Sequence, residues 1–319
     1  MPCFSPLSGY RARVPNANGR RPIVFNKQSA SLDEPIDLPC GRCIGCRLER
    51  SRQWAVRCLH EASLYEDNCF ITLTYSPDHL PRDGSLDLKH FQDFMKRLRK
   101  RFSGFSVVYD KDGKPTYPIR FFHCGEYGEK NSRPHYHACL FNFDFKDKIK
   151  WSVSNSNPLY ISESLSELWP FGFATIGEVT FDSAAYVARY VTKKITGDAA
   201  DSHYLRMDPV SGELYSLKPE YITMSRRPGI ASGWYDKWSS DIYPSDTVVV
   251  NGRACKPPKF YDRRLELDDS KDFDLIKRMR ELKAKKLGGD LGAARYAALA
   301  HHKKLVLNQQ LKRRYENET

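Results

Sequence analysis

Apolar and polar residues alternate with period two over Cys69-Phe70-Ile71-Thr72-Leu73-Thr74-Tyr75, and Ser76-Pro77-Asp78 ends the run, which predicts a strand. Before it, residues 47–65 carry Leu48, Trp54, Ala55, Leu59, Ala62 and Leu64 at helical spacing. Arg47, Arg50, Arg52 and Arg57 are interleaved with them, as phosphate contacts or as a solvated face. Residues 86–102 read as a basic amphipathic helix with Leu88, Phe91, Phe94 and Leu98 along one side. Strands at 105–110 and 117–124 flank the turn Asp112-Gly113-Lys114-Pro115. Phe121-Phe122 and Leu140-Phe141 bracket a further hairpin. A short helix at 160–169 and a strand at 173–179 follow. Five strands with helices between them predict an α+β sheet covered on one face. Residues 1–39, with prolines at 2, 6, 15, 22, 35 and 39, are expected to be irregular. Residues 197–220 are expected to form a loop or surface hairpin.

The second arm of that hairpin is Arg133-Pro134-His135-Tyr136-His137-Ala138-Cys139-Leu140-Phe141. Side chains two apart share a strand face, so His135 and His137 offer two imidazoles to one ion while Tyr136 packs the other way. Upstream, Cys124-Gly125-Glu126-Tyr127-Gly128-Glu129 brings Glu126 or Glu129 within reach of the same ion. Two histidines and a carboxylate suit a divalent metal with open coordination positions.

The stretch from Phe181 to Lys194 reads as a helix that Asp182 or Ser183 caps and Gly197 ends. At about 100° per residue, Tyr186, Tyr190 and Lys193 fall within roughly 60° of one another. Ala184, Val187, Ala188, Val191 and Ile195 form an apolar stripe centred about 150° away. Two phenols and an ammonium are thus presented apart from the packing face. Beside a metal strand such a phenol can attack a phosphodiester and hold the DNA end covalently, and Lys193 can stabilise phosphate charge.

Charge narrows the partner. The 319 residues carry a net charge of +12, which points to nucleic acid. From residue 271 on, thirteen Lys/Arg face six Asp/Glu in a mostly helical tail broken near Gly288-Gly289. The tail is a candidate to bind DNA electrostatically or to be a merely solvated helix. No apolar run is long enough to cross a membrane, and Met1-Pro2-Cys3-Phe4 has no secretion signal. Nine cysteines without such a signal suggest reduced thiols. Three stand at C-x-x-C-x-x-C spacing, Cys40, Cys43 and Cys46, with Cys3 as a candidate fourth ligand to a structural Zn²⁺. The competing reading is a set of structural thiols. Arg226-Arg227-Pro228-Gly229 offers a phosphate grip or a plain turn, and Trp234, Tyr235, Trp238 and Tyr243 either stack on bases or pack.

Three motifs then stand in order: Phe70-Ile71-Thr72-Leu73-Thr74-Tyr75, Arg133-Pro134-His135-Tyr136-His137, and Tyr186-Val187-Ala188-Arg189-Tyr190-Val191-Thr192-Lys193. Together they resemble the rolling-circle replication initiators among the HUH endonucleases (His–hydrophobic–His). Pro39-Cys40-Gly41-Arg42-Cys43-Ile44-Gly45-Cys46-Arg47 and Met224-Ser225-Arg226-Arg227-Pro228-Gly229-Ile230 resemble the gokushovirus-like (Microviridae) initiators in particular. The resemblance implies a central five-stranded antiparallel sheet with flanking helices, the histidines on a middle strand and the tyrosines on a following helix. It implies Mg²⁺ or Mn²⁺ on His135, His137 and Glu126, with Glu129 as the alternative. Tyr186 and Tyr190 would nick origin DNA through a 5′-phosphotyrosine, leave a 3′-hydroxyl primer, and later rejoin strands. Candidate DNA contacts are Arg133, Arg189, Arg226 and Arg227. The expected division is 1–66 for a cysteine segment and helix, 67–196 for the nickase core, 197–265 for a packed extension and 266–319 for the basic tail. The expected setting is the host bacterial cytoplasm, with host helicase or polymerase as partners. An HUH transposase or relaxase, and a non-catalytic single-stranded DNA-binding protein, are the alternatives.

Overall fold

The alternation at 69–75 becomes the strand Asn68–Thr74 (β1). In this computed structural model residues 3–17, 19, 21–81, 83–103, 108–109, 115–116, 119–128, 132–154, 157–189, 194, 199–208 and 211–287 are described. They fall into two compact units, one within Met1–Arg50 and Asp274–Thr319 and the other within Ser51–Phe273.

The larger unit is built on a seven-stranded antiparallel sheet. Its strands after β1 are Arg120–Tyr127 (β2), Pro134–Phe141 (β3), Ile149–Ser154 (β4), Asn157–Ile161 (β5), Ala174–Gly177 (β6) and Tyr221–Met224 (β7). The spatial order is β7-β2-β3-β1-β6-β5-β4, which puts the histidine strand inside the sheet between β2 and β1. Seven strands replace the expected five. The β4–β5 hairpin extends one edge and the four-residue β7 the other. A four-residue strand is too short to show a period, and it is recruited by pairing with β2 about a hundred residues upstream. The expected strand at 105–110 is not in this sheet. Val108–Tyr109 pairs with Pro115–Thr116 as a separate ribbon, and β2 starts only at Arg120.

Helices cover both faces rather than one, because four helices carry apolar stripes that need a partner. They are Ile44–Ala62 (α1), Leu88–Arg101 (α2), Glu163–Leu168 (α3) and Phe181–Arg189 (α4). On one face Ile71, Leu73, Tyr136, Ala138 and Leu140 meet Phe91, Phe94 and Leu98 of α2, with Leu165 and Trp169 beyond. Each of these large apolar side chains, fully buried, contributes roughly 1.5–3 kcal/mol. On the other face Phe122, Cys124, Cys139 and Phe141 meet Ala55 and Cys58 of α1 and Ala184, Val187 and Ala188 of α4. Of the stripe assigned to this helix from its sequence, Ala184, Val187 and Ala188 pack here, and Val191 and Ile195 lie outside the described residues.

Other readings from the sequence are decided by contacts. Arg57 is not a surface phosphate contact, since its guanidinium lies over Trp54 and Phe260 and donates to the Ile230 carbonyl. Trp234 and Tyr235 belong to a third core, where Trp234 stacks on His60 with ring centroids 3.6 Å apart. In the smaller unit, residues 1–39 are not irregular: Leu7–Ala12 forms the centre of a three-stranded sheet between Ile23–Val24 and Ala30–Leu38. Pro35 is tolerated there because its strand is at the edge. Residues 205–216 form the hairpin expected, Leu205–Met207 against Leu214–Ser216. The helix Ser270–Leu287 begins the basic tail; Gly288, Gly289 and the rest of the tail lie outside the described residues.

Tyr136 fixes the histidine strand to its neighbours. Its ring is fully buried, and its hydroxyl donates to the Asp87 carbonyl (2.9 Å) and accepts from the Asp87 amide (2.8 Å). Asp87 caps α2 by accepting from the Lys89 amide, so one phenol ties β3 to the start of that helix. The Tyr75 hydroxyl, 2.8 Å away, completes the cluster. Tyr136→Phe strands these buried groups and should lower stability by about 1–3 kcal/mol. The check is urea unfolding, in which the midpoint falls and the slope stays unchanged.

Candidate metal centre and its tyrosine

Register brings the three candidate ligands together. Glu126 of β2 pairs with His135 of β3, while His137 pairs with Cys124 on one side and with Thr72 of β1 on the other. Cross-strand partners share a face, so Glu126, His135, His137 and Thr72 lie on the side of the sheet that α4 covers. The Glu126 Oε1 is 2.7 Å from His135 Nε2 and 3.1 Å from His137 Nε2. One ligand atom from each of the three residues lies within 4.8 Å of the others. Glu126 is 1% exposed and His137 5%, with His135 more open.

The outer ring nitrogens decide what the inner ones can do. His135 Nδ1 lies 3.1 Å from the Arg133 carbonyl, an acceptor, so this nitrogen carries the hydrogen. His137 Nδ1 is 3.0 Å from the Thr72 hydroxyl, which can hold that ring in the same tautomer. In a neutral ring both Nε2 lone pairs then face a buried carboxylate oxygen. Acceptors converging in this way need a positive charge between them, whether protons on the rings or a cation, so the donor set fits a divalent metal. Burial pushes the Glu126 carboxyl up. The hydrogen bonds from the two histidines and their charge outweigh burial and hold it at about 2. The carboxylate is therefore ionised and available as a ligand at neutral pH.

The sequence around the site contains a decoy. His123, three residues before Glu126, faces the opposite side of the sheet, stacks on Phe91 with ring centroids 3.3 Å apart, and meets Thr223 Oγ1 through Nδ1. Burial drives its pKa far down, which keeps it neutral.

The helix α4 brings in the phenol. Its cap is Thr180 rather than Asp182 or Ser183: Thr180 Oγ1 accepts from the Ser183 amide, and Ser183 Oγ accepts from the Thr180 amide. Ser183 thus serves as the third-residue partner in a capping box. The Ser51 hydroxyl donates to the Ala185 carbonyl and fixes the helix from the α1 side. With Ala184, Val187 and Ala188 packed inward, Tyr186 turns toward the metal ligands. Its ring lies edge-on to His137, centroids 5.0 Å apart at 86°, while Phe70 stacks near the same imidazole at 5.7 Å.

Other expected site residues scatter. Arg133 donates to the Tyr75 carbonyl and Arg189 to the carbonyl of Ala185, so both make backbone contacts inside the fold. Arg226 and Arg227 are exposed on the turn after β7. Tyr190, Lys193 and Glu129 lie outside the described residues. Cys3, Cys40, Cys43 and Cys46 converge as a second group of four in the smaller unit. Thr72 is the residue that sequence reasoning did not assign. The available signal was the strand period, which places Phe70, Thr72 and Thr74 on the same face as the histidines once β1 is paired with β3.

Thr72→Val removes the contact at His137 Nδ1 and should weaken Mn²⁺ binding about 10–100-fold, as loss of such an outer partner does. Thr74→Val is the control, because its hydroxyl donates to the Phe173 carbonyl instead and its loss should leave the affinity near wild type. Calorimetric titration of Mn²⁺ into each protein measures the difference.

Comparison with known proteins gives the family. Residues 68–195 match the family model described as replication-associated protein ORF2/G2P. The chain is 35% identical to the replication-associated protein ORF2 of Spiroplasma virus 4 over 78% of this chain and 74% of that one. It is 34% identical to the replication-associated protein VP4 of Bdellovibrio phage phiMH2K over 82% and 76% of the two chains. It is 32% identical to the replication-associated protein ORF4 of Chlamydia phage 1 over 74% and 56%. No solved structure matches. Among the described residues no helix is long and apolar enough to cross a membrane. The chain therefore belongs to the replication-associated proteins of gokushovirus-like (Microviridae) phages.

Proposed function

We propose that this protein starts rolling-circle replication of a single-stranded DNA phage by nicking the origin with a tyrosine. The observation that carries the reading is the Tyr186 ring 5.0 Å from His137, on the sheet face that also holds Glu126 and His135. An HUH-type core is the corresponding fold assignment: an antiparallel sheet with the histidines on an inner strand and a tyrosine helix laid across it. In this reading 67–196 is the nickase core, with 197–265 packed as its extension.

Glu126, His135 and His137 would hold a cation of the Mg²⁺ or Mn²⁺ class, which supplies Lewis-acid charge at the non-bridging oxygens of the scissile phosphate. The chain does the rest. A phenol has an ordinary pKa near 10, so attack at neutral pH needs a neighbouring positive charge and a fixed approach. The capping box and the Ser51 bond to α4 supply the fixed approach for Tyr186. The phenol oxygen bonds to phosphorus as the P–O3′ bond breaks. The 3′ oxygen leaves, takes a proton and becomes the primer end, while the 5′ phosphate stays on the tyrosine. Tyr190, four residues on in the sequence, allows a second transfer that rejoins the strand. Lys193, on the same face of the sequence helix, is the candidate for steadying phosphate charge. Host polymerase and helicase in the bacterial cytoplasm would extend the primer and unwind the duplex.

The test is adduct formation with a single-stranded oligonucleotide carrying the phage origin, in the presence of Mn²⁺. His135→Ala with His137→Ala should cut the adduct by at least about two orders of magnitude and leave DNA binding largely in place. Tyr186→Phe and Tyr190→Phe should each still allow one cleavage, and the double variant none. Cleavage surviving in the histidine variant would sink the metal assignment. An adduct surviving in the double tyrosine variant would move the nucleophile elsewhere.

A further inference from the structure

The four cysteines of the smaller unit take no part in the proposed nicking, yet their geometry is specific. Cys3 comes from the N-terminal end of the chain, Cys40 follows the strand Ala30–Leu38, Cys43 directly precedes α1, and Cys46 lies in its first turn. The four Sγ atoms lie within 4.8 Å of one another, and all four residues are half-buried, unoxidised thiols. Cys3 Sγ and Cys43 Sγ are 3.8 Å apart. A disulfide needs about 2.05 Å. Four sulfurs at the zinc–sulfur distance of about 2.3 Å stand about 3.8 Å apart along the edges of a tetrahedron.

The backbone is arranged for sulfur that carries negative charge. The Phe4 amide donates to Cys43 Sγ, the Cys40 amide to Cys3 Sγ and the Cys43 amide to Cys40 Sγ, each at 3.3 Å. Gly41 turns the chain between Cys40 and Cys43 at φ +74°, a conformation that side chains rarely adopt.

Among the described residues of 3–50, the buried ones are Gly9, Ala12, Ala30 and Gly45, none with a large apolar side chain. A three-stranded sheet with only small buried residues among those described gains from a staple, and a metal is the common one in small units. Closing a loop of about forty residues through one ion also removes much of the unfolded chain's freedom.

We infer that Cys3, Cys40, Cys43 and Cys46 bind one Zn²⁺ as a closed tetrathiolate site that folds the N-terminal unit. Four protein ligands leave no open position, so the ion is structural and separate from the Glu126–His135–His137 centre. Binding converts the four thiols to thiolates and releases their protons to solvent.

The test uses the full chain, purified under reducing conditions without chelator. Elemental analysis should find about one zinc per chain, and an organomercurial that blocks thiols should release it. The His135→Ala, His137→Ala variant should keep that zinc, whereas Cys40→Ser with Cys43→Ser should lose it. Should the cysteine variant fail to fold, refolding the wild-type chain with Co²⁺ decides the matter: the intense visible absorption of a tetrahedral cobalt tetrathiolate supports the site. Absence of stoichiometric zinc, iron in its place, a disulfide among the four cysteines, zinc lost only with the histidines, or cobalt without that spectrum would each overturn it.

Discussion

The register of β3 against its two neighbours is the constraint on which the site depends. Side chains alternate across a strand, so sliding β3 by one residue would carry His135 and His137 into the core under α2 and bring Tyr136 out toward α4. Both outcomes are costly, since two imidazoles would be buried against apolar residues and a phenol would lose its bonds to Asp87. The packing of Tyr136, Ala138 and Leu140 on one face therefore holds the ligands on the other. An aromatic residue between the histidines is part of this device. Its hydroxyl anchors the strand at the start of α2, which an aliphatic residue at that position would not do.

Covering the sheet on both sides has a second consequence. Both α1 and α4 pack on the face of the candidate ligands, and Glu126 is buried there with both histidines against it. A carboxylate that deep persists only because it is paired, and the same pairing keeps it ionised. Thr72 on β1 and the Arg133 carbonyl hold the outer nitrogens, so the inner lone pairs are aimed before any cation arrives. Tyr186 enters the same enclosure because the small side chains Ala184 and Ala188 let α4 lie close to the sheet.

How much of this was legible in the sequence follows from the range of each interaction. The His-x-His face, the amphipathic α2 and the packing stripe of α4 are local periodicities, and each was readable. Glu126 was named first as a strand-end residue, but the register that sets it against His135 is a pairing between strands and not a local period. The edge strands of the sheet escaped for a related reason, since β7 is defined by its partner rather than by its own four residues. The prolines of residues 1–39 suggested irregularity, but Pro35 lies on an edge strand, where a missing amide costs little. The aromatic residues near 234 could stack on bases or pack, and the choice was not legible because Trp234 meets His60, a contact made across more than 170 positions of sequence. The clustering of Cys3 with the C-x-x-C-x-x-C run was legible as a possibility, and the sulfur distances give it a shape.

The central claim is that a tyrosine on α4 or directly after it becomes joined to DNA at the metal face of the sheet. Proteolysis of the covalent complex formed with a single-stranded origin, followed by mass spectrometry of the nucleotide-bearing peptide, addresses it directly. The expected product is a phosphotyrosine within the peptide that contains Tyr186 and Tyr190. A nucleotide on any other residue, or cleavage that leaves only a free 5′ phosphate and no bound peptide, would contradict it.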